Sequence, residues 1–205
     1  MSRTSGNRSV RLSKGEASLP VSTQLTILDE LLGGDRRSIG RSNRVVAIVR
    51  RYPILFPALI DGMHHADELV RMRAADAVEK LTVTNPEWLR PFKVQLITLA
   101  ARATQQELRW HLAQVLPRLE LSRRDCVIVV AVLRRYLQDQ SRIVKTFAMQ
   151  GLTDLAIRDH RLRAPVRRLI SSLTRTGSPS MKSRGRKLLL QLRASTLPRH
   201  APVSL

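Results

Sequence analysis

The stretch from Tyr52 to Leu81, YPILFPALIDGMHHADELVRMRAADAVEKL, most constrains the fold of this chain, because its second half recurs along the sequence. In VRMRAADAVEKL the residues Val70, Ala74, Ala77, Val78 and Leu81 stand at i, i+4, i+7, i+8 and i+11, one apolar stripe on a helix of period 3.6. Arg71, Arg73, Glu79 and Lys80 fall on the opposite face. The same spacing returns at Leu108, Leu112, Val115, Leu116 and Leu119, then at Val144, Ala148, Gly151, Leu152 and Leu155. A fourth copy is Met181, Gly185, Leu188, Leu189 and Leu192. A basic residue follows the first stripe position each time, at Arg71, Arg109, Lys145 and Lys182, with a weaker instance at Arg41 ahead of Arg44, Ala47 and Ile48. These basic residues are 30, 38, 36 and 37 apart. A period of this size with one helical pair per copy predicts an all-α chain, an α-solenoid of about five pairs.

A Pro-containing helix followed by D-E-L-V-R-x-x-A-A-x-A-V resembles the HEAT repeat of the armadillo-like solenoids. The match is close from Tyr52 to Leu81, fair in Pro86 to Leu119 and in Ser122 to Leu155, and loose elsewhere, where Arg44 and Gly185 stand at core positions. The resemblance implies a curved right-handed array, with second helices on a concave side and first helices outside. That family spans transport receptors, scaffolds, lyases and DNA repair proteins, so the resemblance leaves function to the exposed surface. A narrower resemblance, to the alkylpurine DNA glycosylases built from HEAT-like repeats, implies an Asp beside Trp in a basic groove. Here the helix with Trp110 offers Glu107 and no Asp, and the helix with Asp76 offers no aromatic residue.

Local signals divide the chain into a basic tail over 1–20, a repeat domain over 21–194 and a C-terminal tail over 195–205. A helix from Ser22 or Thr23 to Gly33-Gly34 and another over Ile39 to Arg51 open the domain. Pro53 and Asn85-Pro86 start outer helices, with Pro57 and Pro91 bending them and the second reaching Arg102. The remaining helices are expected at Gln105 to Leu119, Ser122 to Gln138, Ser141 to Ile157, Arg161 to Arg175 and Ser180 to Arg193. Gly151 and Gly185 should weaken their helices by roughly 1 kcal/mol each relative to Ala and let the C-terminal pair fray first. The single Cys126 permits no internal disulfide and implies a reducing, cytoplasmic setting. The longest apolar run, CVIVVAVL, is far short of the roughly 18 residues of a membrane span, so no membrane partner is expected.

The formal net charge is +20, and its distribution matters more than its size. Residues 24–120 hold fourteen basic and eleven acidic side chains, whereas 121–205 hold eighteen and four. In a stacked array Arg71, Arg109, Lys145 and Lys182 form a ladder one repeat apart, a candidate binding surface whose bland alternative is stitching between repeats, as in an Asp67–Arg71 pair. Trp110 is the ring nearest that ladder. Arg161, Arg168 and Arg175 share one helical face, and Arg186 lies in the same carboxylate-poor segment. With two Trp, two Tyr and three Phe, stacking on single strands is disfavoured, and Trp88 and Phe92 at i, i+4 belong to the core. His64-His65 with Asp67 and Glu68 matches no zinc spacing. No Gly-rich phosphate loop, nucleophile elbow or Cys/His cluster occurs, so no catalytic residue, metal or cofactor is expected. The expected function is a non-catalytic scaffold that binds an acidic protein segment, with nucleic acid as the alternative partner.

Overall fold

The computed structural model describes residues 27–33 and 40–195, and among these every regular element is helical. Helix α1 (Ser42–Arg51) is followed by a 3-10 turn, Pro53–Leu55, and α2 (Phe56–Gly62), then α3 (Glu68–Leu81). A 3-10 segment, Pro86–Phe92, leads to α4 (Lys93–Arg102), α5 (Gln106–Val115) and a further 3-10 turn, Leu116–Arg118. The C-terminal half holds α6 (Arg123–Tyr136), α7 (Arg142–Arg158), α8 (His160–Thr176) and α9 (Pro179–Ala194). None of these helices is long and apolar enough to cross a membrane. The tails at 1–20 and 196–205 and the start of the helix expected from Ser22 lie outside the described residues, and of that helix residues 27–29 are helical.

Each second helix packs on the next second helix: α1 on α3, α3 on α5, α5 on α7 and α7 on α9. Their partners α2, α4, α6 and α8 lie against α3, α5, α7 and α9 respectively, with α8 also against α7. The cause is the stripe. In the four copies from Val70 to Leu192 every stripe position except Leu189 is buried, so no helix hides its apolar face alone and neighbours complete the core.

Polar caps punctuate the array. Asp67, Ser122, Ser141, Asp159 and Ser178 each accept a hydrogen bond from a first-turn N–H of α3, α6, α7, α8 and α9, and Ser122 with Asp125 completes a capping box. Prolines act more strongly than expected. Around Pro91 the seven residues Pro86–Phe92 form 3-10 structure, so α-helix begins only at Lys93, and Pro57 stands just inside α2 instead of bending a longer helix. Asn85 makes no side-chain cap to that segment.

The first copy is framed two residues differently from the template. Arg44 and Ala47 are exposed, and the buried face of α1 is Ser42, Val45, Val46 and Val49. Ser42 hid this frame in the sequence because a buried serine interrupts the apolar stripe. Its hydroxyl donates to Asp76 of α3, which satisfies the group inside the core.

Gly151 also departs from expectation. A Cβ there would meet the Ala113 carbonyl oxygen of α5 at 2.5 Å, with Leu133 and Pro117 at 3.2 Å. The missing side chain is what lets α7 approach α5. Gly151→Ala should therefore destabilise by roughly 1–3 kcal/mol through overpacking, opposing the roughly 1 kcal/mol gain in helix propensity. Leu112→Ala, in the fully buried centre of α5, should cost roughly 2–5 kcal/mol. Urea melts followed by circular dichroism read both values.

Candidate functional site

The ladder residues divide into two pairs with different partners. Arg71 donates to the carbonyls of His65 and Ala66 at 2.7 and 2.8 Å, and to the Gln105 side chain of the next unit at 3.0 Å. Its ion-pair partner is Glu68 at 3.7 Å, since Asp67 is occupied in capping α3. Arg109 repeats the arrangement, donating to the Ala103 carbonyl and to Asp139, whose other oxygen accepts from the Ser141 N–H at the start of α7. Both guanidinium groups thus join a preceding loop to the following unit. The ammonium groups of Lys145 and Lys182 make no such bond, and both side chains are half-buried in first turns of their helices.

Trp110 is half-buried against the core, its ring 5.5 Å from that of His111. Trp88 and Phe92 also lie against the core, with Phe56 5.3 Å and 6.0 Å from them. Arg161, Arg168, Arg175 and Arg186 are exposed, and Arg161 forks onto Asp159. His65 accepts from the Asp67 N–H, which closes the turn before α3. Among the described residues no cluster of three or more His, Cys, Asp or Glu is arranged for a metal. Burial raises the Cys126 thiol above its ordinary range, which keeps it protonated and a poor nucleophile.

Six residues that stand two, five or nine places after Arg109, Lys145 or Lys182 converge where the ladder does not. Phe147 and Arg184 stand at the first of these offsets, Gln114 and Gln150 at the second, Arg118 and Asp154 at the third. All six line one cleft of about 670 Å³, together with Thr82, Val83, Pro86, Pro117 and Arg158. Arg118 is held by the Glu79 carbonyl and carboxylate and by the Thr82 hydroxyl. Arg158 donates to the Pro117 carbonyl, and Arg184 to the Gln150 side chain at 3.2 Å. These bonds use part of each guanidinium and leave donors for a ligand. Asp154 accepts from Gln150 at 2.7 Å, and burial raises its carboxyl above the ordinary range, against the pull of Arg118 and Arg184. The cleft is therefore cationic, amide-rich and partly apolar.

The sequence pointed to the basic residue beside each stripe, a position that faces the loops. The signal for the cleft was present as polar residues within the stripe's own span, at Gln114, Gln150 and Asp154, where a purely structural helix would tolerate apolar ones.

Further toward the N-terminus the same helices carry a buried polar cluster. Asp76 accepts from Lys80 at 2.6 Å as well as from Ser42, and Lys80 also reaches Asn43 at 2.8 Å. On α5, Glu107 and His111 are buried, and one oxygen of Glu107 and Nδ1 of His111 have no hydrogen-bond partner. Burial lowers the His111 pKa from 6.5 to about 4, outweighing the nearby carboxylates of Asp76, Glu79 and Glu107.

No family model matches the chain, and no curated protein matches it. Among solved structures, the crystal structure of an engineered protein, a target of the Northeast Structural Genomics Consortium, is similar with a TM-score of 0.56 over 87% of this chain and 86% of its own. The two are 14% identical, so the likeness concerns the helical fold alone.

His111 gives stability a defined pH dependence. The unfolded chain takes up the imidazole proton near pH 6.5 and the folded chain only near 4, so the contribution is complete above 6.5 and is lost as pH falls toward 4. The shift corresponds to up to about 3 kcal/mol. Urea melts between pH 7.5 and about 4 should show His111→Gln losing less stability than the parent chain over that window.

Proposed function

We propose that the chain is a HEAT-like helical-repeat scaffold, a right-handed solenoid whose concave side holds an acidic protein segment. The packing of each second helix on the next is the arrangement such an array needs. One observation carries the functional reading: Arg118, Arg158 and Arg184, from three successive helical pairs, line a single cleft that also presents the amides of Gln114 and Gln150. An extended segment offers side-chain carboxylates to guanidinium forks and main-chain groups to amides. Those are the two kinds of group the cleft supplies. Phe147, Val83 and Pro86 add apolar surface for an intervening side chain. The reading includes a cytoplasmic setting and a binding role in place of catalysis.

Fluorescence anisotropy of the purified chain with a labelled, unstructured acidic peptide tests this. The peptide should bind, and Arg184→Glu should weaken it at least about tenfold while Arg50→Glu, an exposed charge on α1, changes it less than about twofold. Absence of binding, or equal loss in the two variants, would contradict the proposal.

A further inference from the structure

The basic surface of α8 and α9 is distinct from the cleft. Residues 160–195 contain ten Lys and Arg and no Asp or Glu. Three of the ten are held by residues before this pair: Arg161 by Asp159, Arg163 by the carbonyls of Ala156 and Ile157, and Arg184 by Gln150. The side chains of Arg167, Arg168, Arg175, Lys182, Arg186 and Lys187 form no hydrogen bond or ion pair among the described residues, and all but Lys182 are exposed. The N-terminal half is different, since Arg41, Arg71, Lys80, Arg90, Lys93, Arg109 and Arg118 each have a carboxylate within ion-pair distance.

Capping the array explains only part of this surface. Arg186 stands where Ala75, Ala113 and Met149 are buried in earlier copies, so it solvates the end of the stack. A solvating end needs polar groups of either sign, and mixed charge avoids self-repulsion. Uniformly positive charge over two helices costs stability that an external polyanion would offset.

We propose that α8 and α9 dock the phosphate backbone of duplex nucleic acid. Arg161, Arg168 and Arg175 recur every seven residues on one face of α8, about 10 Å apart along the axis and about 21 Å end to end, with Arg161 already paired to Asp159 and the unpaired charge on Arg168 and Arg175. A line of cations this long suits a polymer of phosphates more than a single acidic side chain. Eight of the ten cations are Arg, whose planar fork matches a phosphate's paired oxygens. The pair has no Trp, Tyr or Phe on which an unpaired base could stack, which selects duplex over single strand. With the cleft engaged elsewhere on α9, the chain would join a protein segment to a nucleic acid.

The test compares two triple variants of the full chain with equal change in charge. Arg168→Glu/Arg175→Glu/Arg186→Glu alters the proposed surface, and Arg50→Glu/Arg102→Glu/Arg124→Glu alters exposed side chains elsewhere. Circular dichroism verifies the fold of each, and a labelled duplex DNA is titrated by anisotropy at several salt concentrations. The parent chain should bind with a log–log salt slope steeper than about −3, reflecting release of several counterions. The first variant should lose at least about 30-fold in affinity at low salt and flatten the slope, and the second should stay within about threefold. Equal losses in the two variants would overturn the proposal in favour of bulk charge. Tighter binding of a single strand, or binding of an acidic peptide but not the duplex through Arg168, Arg175 and Arg186, would overturn it too.

Discussion

The approach of α7 to α5 at Gly151 is the constraint on which the rest of the molecule depends. With the Ala113 carbonyl 2.5 Å from where a Cβ would be, no other residue fits without moving one helix. This packing brings Gln114, Arg118, Gln150 and Asp154 to one cleft. It also sets the reach of the long bonds between units. Arg158 donates back to Pro117, Arg135 to Ala100 and Ala101, and the Tyr136 hydroxyl to Ala100 at 2.7 Å. A wider spacing would break several of these together, leaving buried carbonyls without partners.

Basic residues serve two purposes, and their position in the chain separates them. Up to Arg118 most are structural, bridging loops and units to carboxylates and carbonyls. Partly buried bonds of this kind matter more for keeping repeats in line than for net stability, because desolvation offsets much of the attraction. In the last pair no carboxylate is present to be bridged. The net charge of the sequence therefore understates the contrast, since the paired cations contribute little field outside the protein and the unpaired ones contribute most of it.

Much of the fold was legible because the apolar stripe repeats, and packing honours a repeated stripe. The helix boundaries around α5, α6, α7, α8 and α9 fall close to expectation, since Ser122, Ser141, Asp159 and Ser178 are local signals that act locally. The misframed α1 and the 3-10 segment before α4 were not legible. The first depends on a hydrogen bond from Ser42 to a residue 34 places away, and the second on how two prolines five residues apart act on one short segment. The site was harder still. The sequence offers Arg71 a stitching role through Asp67, but Gln105 and Asp139 become the partners of Arg71 and Arg109 only after the units stack. Arg158 carries no special spacing, and it reaches one cleft with Arg184 only because α7 and α9 lie side by side.

In the proposed function, ligand recognition lies on the cleft between successive second helices and not on the basic ladder at the loop edge. Side-chain amide resonances of Gln114 and Gln150 are direct reporters, since both line the cleft and neither touches the ladder. A heteronuclear NMR titration with an acidic peptide should give saturable shifts at these amides and at the side-chain Nε–H of Arg158 and Arg184, with Arg71 and Arg109 little changed. Shifts concentrated at Arg71, Arg109, Lys145 and Lys182, with Gln114 and Gln150 unmoved, would contradict it.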